Sequence, residues 1–276
     1  MGQWRRSPWN SESETEVWRR PSSFPNRWMK YAVYVGLAVF FLWSAWNIRI
    51  TPARFVMGLS AATELIAEMF PPDFGPRQRE LILNGIVETL AMAVLATIVG
   101  VIISLPVAFM AARNIAPLPI YMAARGLIMI SRAFHSLIIG VIAVKAVGFG
   151  PLAGVITLSF ATIGFYGKIL AEDLENIDGS EMKAIKAAGG NPLQTILYGV
   201  VPQVMPRIIG LAIYRWDINV RSSTIIGIVG AGGIGFTLVG AFDRYQFDFA
   251  MAIIIVIVGI VLLGEGVSAL IRGRIN

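Results

Sequence analysis

One apolar run limits the folds open to this chain more than any other feature. Residues 251–271 read MAIIIVIVGIVLLGEGVSALI, about 20 residues with a single carboxylate. A helix of about 20 apolar residues crosses a hydrocarbon core of ~30 Å. Only 14% of the 276 residues are charged, whereas about a quarter of the residues in soluble domains are charged. The sequence therefore predicts an all-α integral membrane protein.

The helices are predicted from the lengths of the apolar runs and from the polar, glycine and proline residues between them. Hydrophobic periodicity carries little information here, because nearly every face of each predicted helix is apolar. A separate segment, 52–70, keeps its two glutamates off its apolar face, which favours a helix lying in the membrane interface. About six transmembrane helices are predicted, at 31–46, 83–110, 126–145, 152–170, 206–226 and 249–271.

Basic residues predict the orientation, because lysine and arginine accumulate on cytoplasmic segments. With the N-terminus inside, fourteen of the 23 basic residues fall on the cytoplasmic side and six on the outside. Both termini are therefore expected in the cytoplasm. Residues 1–30 lack a small-residue cleavage site and are predicted to be a retained cytoplasmic arm. Residues 31–79 would form the first span and the external interfacial helix, and 80–276 the transmembrane core.

Several chemistries are excluded by residues that the chain lacks. It has no cysteine and one histidine, so neither a metal site nor a catalytic residue is expected. Residues 229–236, VGAGGIGF, match G-x-G-x-x-G. That fingerprint binds a dinucleotide only after a strand, with an acidic residue about 20 positions on. Here the corresponding stretch reads IIIVIV, so a dehydrogenase is excluded.

The one long hydrophilic stretch, 168–192, contains a short predicted helix at about 180–190. Ser180 can cap it, Glu181 suits its positive end, and Gly189 with Gly190 can end it. Such a helix between two spans can transmit a movement to them. An ordinary solvated loop helix fits the same composition equally well.

Ionisable residues within a span are costly and suggest function. Asp217 and Arg221 are four positions apart and can pair, and Arg215 and Asn219 share a neighbouring face. An arginine that Asp217 does not fully neutralise would suit a small oxyanion. The alternative is a structural ion pair between two spans. The candidate pathway residues are Arg132, His135, Ser136, Arg215, Asp217, Asn219, Arg221, Ser222, Ser223 and Thr224.

From Lys183 to Pro202 the chain resembles the cytoplasmic signature of ABC-importer permeases, E-A-A-x3-G-x9-I-x-L-P. The matching residues are Ala184, Gly189 and Pro202. The positions of the glutamate, second alanine, isoleucine and leucine hold Lys183, Ile185, Gly199 and Val201. Three further stretches, 84–114, 146–178 and 214–236, resemble the phosphonate-importer permeases specifically.

The resemblance implies a type I ABC importer permease fold and alternating-access import of phosphonate, phosphate or phosphite. It also implies a homodimer in the bacterial inner membrane, two cytoplasmic ABC ATPases that hold ATP and magnesium, an external substrate-binding protein, and no cofactor in this chain. Nucleic acid is not an expected partner. The residues implied in ATPase coupling are Glu181, Met182, Lys183, Ala184, Ala187 and Gly189, and a gate or hinge is expected at Gly230, Gly232, Gly233 and Gly235.

Two other functions remain open at this point. One is an intramembrane enzyme acting on lipid phosphate, which would use the arginines to bind the headgroup. The other is a membrane scaffold, in which the buried charges would have no function. RAFHSL at 132–137 departs from R-S-I-P-E-L of phosphonate permeases at His135 and Ser136, so the substrate is not fixed. Glu88 and Glu265 lie near span ends and are expected to face water or headgroups.

Overall fold

The computed structural model of the chain describes residues 26–48 and 51–275, and their regular structure is helical throughout. The all-α prediction is therefore confirmed for these residues, while residues 1–25 of the predicted arm lie outside them. The helices are α1 (Arg27–Asn47), α2 (Pro52–Glu68), α3 (Pro76–Met110), α4 (Leu118–Ala133), α5 (Ser136–Val147), α6 (Pro151–Glu175), α7 (Gly179–Ala187), α8 (Pro192–Thr195), α9 (Val201–Ile226), α10 (Gly233–Asp243) and α11 (Phe247–Ile275).

The chain divides into two units, Met1–Ala62 and Thr63–Asn276. The first unit contains α1 and most of α2. The side chain of Asn26 caps α1 by accepting a hydrogen bond from the backbone N–H of Trp28 at 3.3 Å. A helix forms at α2, where the interfacial helix is predicted. Its position in the membrane interface stays a prediction.

In the second unit, α3 packs along α6 through small side chains. A Cβ on Gly100 of α3 would lie 2.5 Å from Cβ of Thr162 on α6, so only glycine fits at this contact. Small residues at such contacts let two membrane helices approach closely. The hydroxyl of Thr89 donates to the carbonyl of Gly85 at 2.7 Å, so its polar group is satisfied within the helix. This α3–α6 pair also supplies Thr97 and Thr162, two buried threonines of the polar cluster described below.

Three apolar clusters hold the other helices against this pair. One joins the C-terminal ends of α3 and α6 to α4 and α9 and includes the buried Tyr166. A second joins the start of α3 to α10 and α11. A third links α3, α5, α6 and the end of α9. The helices of the second unit therefore form one continuous bundle.

The predicted span at 126–145 is not one continuous helix, because the structure breaks it into α4 and α5, which meet at an angle of 92°. Phe134 and His135 have extended backbone between the two helices. The imidazole Nδ1 of His135 accepts from the N–H of Leu137 at 3.3 Å. This side-chain cap supplies a partner for a backbone donor that would otherwise need a continuing helix.

The helical stretch that contains the predicted fifth span, 206–226, is longer than the prediction. A π-helical turn at Ile196–Val200 joins α8 to α9, so helical structure continues from Pro192 to Ile226. Pro202 lacks a backbone N–H, which helps explain the change in hydrogen bonding just before it. Five helical stretches among the described residues are long and apolar enough to cross a membrane, and the bent α4–α5 pair would make a sixth. The prediction of about six spans is confirmed.

Candidate functional site

A polar cluster lies inside the bundle where α9 meets α3 and α6. Arg215 and Asn219 are 5% and 0% exposed. The Nε of Arg215 donates to Oγ1 of Thr162 at 2.9 Å. The Nδ2 of Asn219 donates to Oγ1 of Thr97 at 2.9 Å and lies 3.5 Å from Oγ1 of Thr162. The predicted shared face of Arg215 and Asn219 is confirmed, since both reach the same threonine.

Both threonine hydroxyl groups can act as acceptors here, because their own protons are already donated to backbone carbonyls. Thr162 donates its hydroxyl proton to the carbonyl of Leu158 at 2.7 Å, and Thr97 donates to that of Ala93 at 2.6 Å. Each hydroxyl oxygen then has lone pairs left for a donor on α9. Sequence reasoning missed both threonines, because their partners lie more than 50 positions away along the chain.

Arg215 is a buried cation without an acidic partner. No carboxylate lies within 4.0 Å of it among residues 26–48 and 51–275. Its guanidinium carbon lies 5.3 Å from the centre of the Phe165 ring, a cation–π contact. The Oδ1 of Asn219 is also buried and has no hydrogen-bond partner in this part of the chain. Buried charges are normally paired, so the cluster has an uncompensated positive charge.

Arg221 and Asp217 form the predicted pair, but loosely. Nη2 of Arg221 lies 4.0 Å from Oδ2 of Asp217, and the two side chains are 53% and 9% exposed. The other donors of Arg221 have no protein partner in the described ranges. A mostly exposed guanidinium at this distance keeps donors available for an anion. The predicted i,i+4 pair is confirmed, although it uses little of the arginine.

The hydroxyl groups that follow Arg221 are less available than the sequence suggests. Ser223 donates to the carbonyl of Val220 at 2.8 Å, and Thr224 donates to that of Arg221 at 2.7 Å. Their protons therefore serve α9 itself, and an oxyanion needs donors. Ser222 is partly exposed. A contact between any of these three residues and substrate stays a prediction.

The residues predicted around 132–136 lie in different surroundings. Arg132 lines a cavity of about 460 Å³ with Arg125 and Lys168, and none of the α9 pathway residues lines it. His135 caps α5, as described, and Ser136 begins that helix. The structure thus places Arg132 with basic residues of α4 and α6, apart from the polar cluster on α9.

The glycine turn between α9 and α10 contains backbone that favours glycine. Gly230, Gly232 and Gly233 have φ angles of 91°, 80° and 73°, which side chains rarely allow. The prediction that Glu88 faces water or headgroups is incomplete, because its Oε2 accepts a hydrogen bond from the N–H of Gly233 at 2.8 Å. Thr89 accepts from the N–H of Ile234 at 2.9 Å. The residues of α3 therefore hold the first turn of α10.

On the loop side, α7 forms where the coupling helix is predicted, but Asp178 caps it. The expectation that Ser180 is the cap is wrong. The Oδ1 of Asp178 accepts from the N–H of Ser180 at 2.9 Å, and its Oδ2 accepts from the Ser180 hydroxyl at 2.7 Å. These bonds lower the pKa of Asp178, with the backbone bond contributing most. Gly189, with φ 84°, lies just after the helix and ends it as predicted.

The two faces of α7 have different surroundings. Met182 packs against the apolar cluster of α3, α4, α6 and α9. A Cβ on Gly199 would lie 3.1 Å from Cδ1 of Ile185 and 3.4 Å from Cα of Met182. Glycine at the isoleucine position of the signature therefore lets α7 approach the π-helical turn. The other residues predicted to take part in coupling form an exposed face: Glu181, Lys183, Ala184 and Ala187.

Comparison with known proteins identifies similarities over most of the chain. Residues 104–276 match the family model described as binding-protein-dependent transport system inner membrane component. The phosphite transport system permease protein PtxC of Stutzerimonas stutzeri is 41% identical, over 84% of each chain. The phosphate-import permease protein PhnE of Mycolicibacterium smegmatis is 39% identical over 83% of this chain and 43% of its own length.

Among solved structures, the inward-facing MetNI methionine ABC transporter contains a chain with a similar fold. The two superpose with a TM-score of 0.63 at 22% identity, over 74% of this chain and all of the other. At that identity the likeness concerns the fold alone. It agrees with the predicted type I importer permease architecture.

Proposed function

The chain belongs to the family of binding-protein-dependent transport system inner membrane components, and on that premise we propose that it carries a phosphorus oxyanion. It is the membrane-spanning permease subunit of an ABC importer, and a transport protein rather than an enzyme. The extent of its identity with the phosphite permease carries the substrate proposal. Phosphate belongs to the same proposal, because a phosphate-import permease is similar over most of this chain. Phosphonate belongs to it because residues 84–114, 146–178 and 214–236 resemble phosphonate-importer permeases.

The relatives described above are permeases, and an enzyme acting on lipid phosphate has no support among them. That alternative is therefore dropped. A scaffold without transport activity is equally unsupported, and it would leave the buried Arg215 without an electrostatic reason to be retained in a membrane helix.

The α9 arginines suit the proposed substrate for a chemical reason. A phosphorus oxyanion presents several acceptor oxygens, and a guanidinium offers paired donors in a fork that matches them. Arg221 is exposed and only loosely paired, and Arg215 is buried without a carboxylate nearby. We assign Arg221 the direct contact and Arg215 a contribution to the positive potential. The other predicted pathway residues remain candidates.

The same proposal includes the partners. A second copy of the chain would complete the pathway, two cytoplasmic ATPases would bind ATP and magnesium, and an external binding protein would deliver the anion. The exposed face of α7 would contact the ATPase, and Met182 would pass its movement to the bundle. Both termini would then be cytoplasmic.

Uptake by the reconstituted complex tests this function. The permease, its ATPase and its binding protein should together accumulate phosphite, phosphate or a phosphonate in proteoliposomes only when ATP is supplied on the side of the ATPase. Sulfate and methionine serve as control solutes of different chemistry. An assembled, ATP-hydrolysing complex that accumulates none of the three phosphorus compounds would contradict the proposal.

The Gly189→Val variant should uncouple ATP hydrolysis from uptake. A side chain at Gly189 meets no atom within 4 Å, but its φ of 84° is unfavourable for valine, at a cost of about 1–2 kcal/mol. We therefore expect the end of α7 to shift. Transport per ATP hydrolysed should fall several-fold in the reconstituted complex.

Gly179→Val is the matched control for this variant, because its added side chain also meets nothing within 4 Å, while its φ is not positive. It should keep most of the coupling. Equal coupling in the two variants would contradict a role for the α7 end.

A further inference from the structure

A cavity of about 460 Å³ lies along the seam between α4 and α6, separate from the α9 cluster. Its lining combines three cations, Arg125, Arg132 and Lys168, with an apolar wall formed by Ile128, Met129 and Ala133. Arg125 and Arg132 are seven positions apart, so they lie two turns apart on one face of α4. Lys168 reaches the same cavity from α6.

The three cations differ in how far they are already neutralised. Nη2 of Arg125 lies 3.0 Å from Oε1 of Glu175, and Nζ of Lys168 lies 3.5 Å from Oε1 of Glu172. Neither glutamate lines the cavity. Arg132 is exposed and has no carboxylate within 4.0 Å among the described residues. The cavity therefore contains an unbalanced guanidinium flanked by two further cations.

The position of Arg125 locates one end of the cavity. Its Nε donates to the carbonyl of Ala111, beyond the end of α3, at 2.9 Å. Glu175, its ionic partner, is the last residue of α6, three positions before the Asp178 cap of α7. This end of the cavity thus lies where the chain leaves the bundle for α7. The distribution of basic residues predicts that this is the cytoplasmic side.

We propose that this cavity binds a tetrahedral phosphorus oxyanion from the cytoplasmic side. The guanidinium of Arg132 would donate a pair of hydrogen bonds, and Lys168 and Arg125 would add charge without giving up their glutamates. Free phosphate and the phosphate of an anionic lipid headgroup present the same oxygens, and the apolar wall would also accommodate an acyl chain. The choice of ligand rests on the proposed function, whereas binding here requires neither ATP nor transport.

Equilibrium dialysis of radiolabelled inorganic phosphate against the delipidated complex tests the proposal, with no nucleotide or binding protein present. Arg132→Gln should weaken phosphate binding by at least about tenfold, the lower end of the loss expected for one hydrogen bond to a charged group. Lys168→Gln should weaken it less and tests the same cavity from another helix. Arg79→Gln, an exposed arginine near the start of α3, is the matched control and should bind like the parent protein.

Native mass spectrometry of the same proteins, purified without delipidation, separates the two sources of phosphate. Retention of an anionic phospholipid by the parent and Arg79→Gln proteins, but not by Arg132→Gln, would identify a lipid headgroup as the ligand. Phosphate binding lost only in the cavity variants would identify the free ion. If Arg132→Gln and Arg79→Gln behave alike in both measurements, the proposal is overturned. Normal ATP-driven uptake alongside that result would leave the transport function standing.

Discussion

Replacing Gly235 with alanine should sharply reduce the yield of folded protein, although the change adds only one methyl group. A Cβ at this position would collide with the backbone carbonyl oxygen of Thr224 and lie 3.1 Å from Cα of Gly227. Both obstacles are backbone, so no side-chain rotation can relieve them. Overpacking of this kind costs about 3 kcal/mol, a shift in the folding equilibrium on the order of a hundredfold.

Gly240→Ala in the same helix is the matched control, because a Cβ there meets no atom within 4 Å. It should be neutral or stabilising by about 0.5–1 kcal/mol, since alanine is the better helix former. The difference in thermal stability is measured by heating the two purified variants and using size-exclusion chromatography to determine how much folded protein remains at each temperature. Equal thermal stability of the two would mean that α9 and α10 do not approach each other as described.

Arg221→Ala should lower phosphite or phosphate uptake on the order of 10- to 100-fold while the complex still assembles. The variant removes the exposed guanidinium, and hydrogen bonds to charged groups contribute about 1.5–3 kcal/mol. It also leaves the carboxylate of Asp217, 9% exposed, without its partner. An unpaired carboxylate beside the pathway would repel an anion, so both effects act in the same direction.

A double variant separates the two effects of Arg221→Ala. If repulsion by Asp217 causes part of the loss, Arg221→Ala with Asp217→Asn should recover that part of the uptake rate. Arg244→Ala, an exposed arginine in the turn after α10, should transport normally. Uptake by Arg221→Ala that equals the Arg244→Ala rate, with ATP hydrolysis intact, would remove Arg221 from the pathway.

Features that depend on nearby residues were predictable from the sequence. The Asp217–Arg221 pair and the shared face of Arg215 and Asn219 follow from four-residue spacing in a helix. The helix α7 and its end at Gly189 follow from a short polar run and two glycines, although its cap is Asp178 and not Ser180. In these cases the physical cause lies within one or two turns of the chain.

Contacts between distant residues were not predictable in the same way. Glu88 and Gly233 are separated by 145 positions, and Thr97 and Asn219 by 122. Nothing local to Glu88 indicates that it meets the first turn of another helix. The break at Phe134–His135 was missed for a different reason, since the flanking residues are apolar enough to read as one span. A histidine that could cap α5 was the available signal.

The corner between α4 and α5 constrains what surrounds it in a bilayer. The two helices have 16 and 12 residues, so they measure roughly 24 and 18 Å. Because they meet near a right angle, the two helices together span a hydrocarbon core of roughly 30 Å only if each is tilted by about 45° from the membrane normal. The vertex then lies deep in the membrane with two extended residues exposed on this chain. Hydrocarbon cannot solvate an unpaired peptide group, so in an α4–α5 pair that crosses the bilayer the elbow would border protein or an aqueous passage.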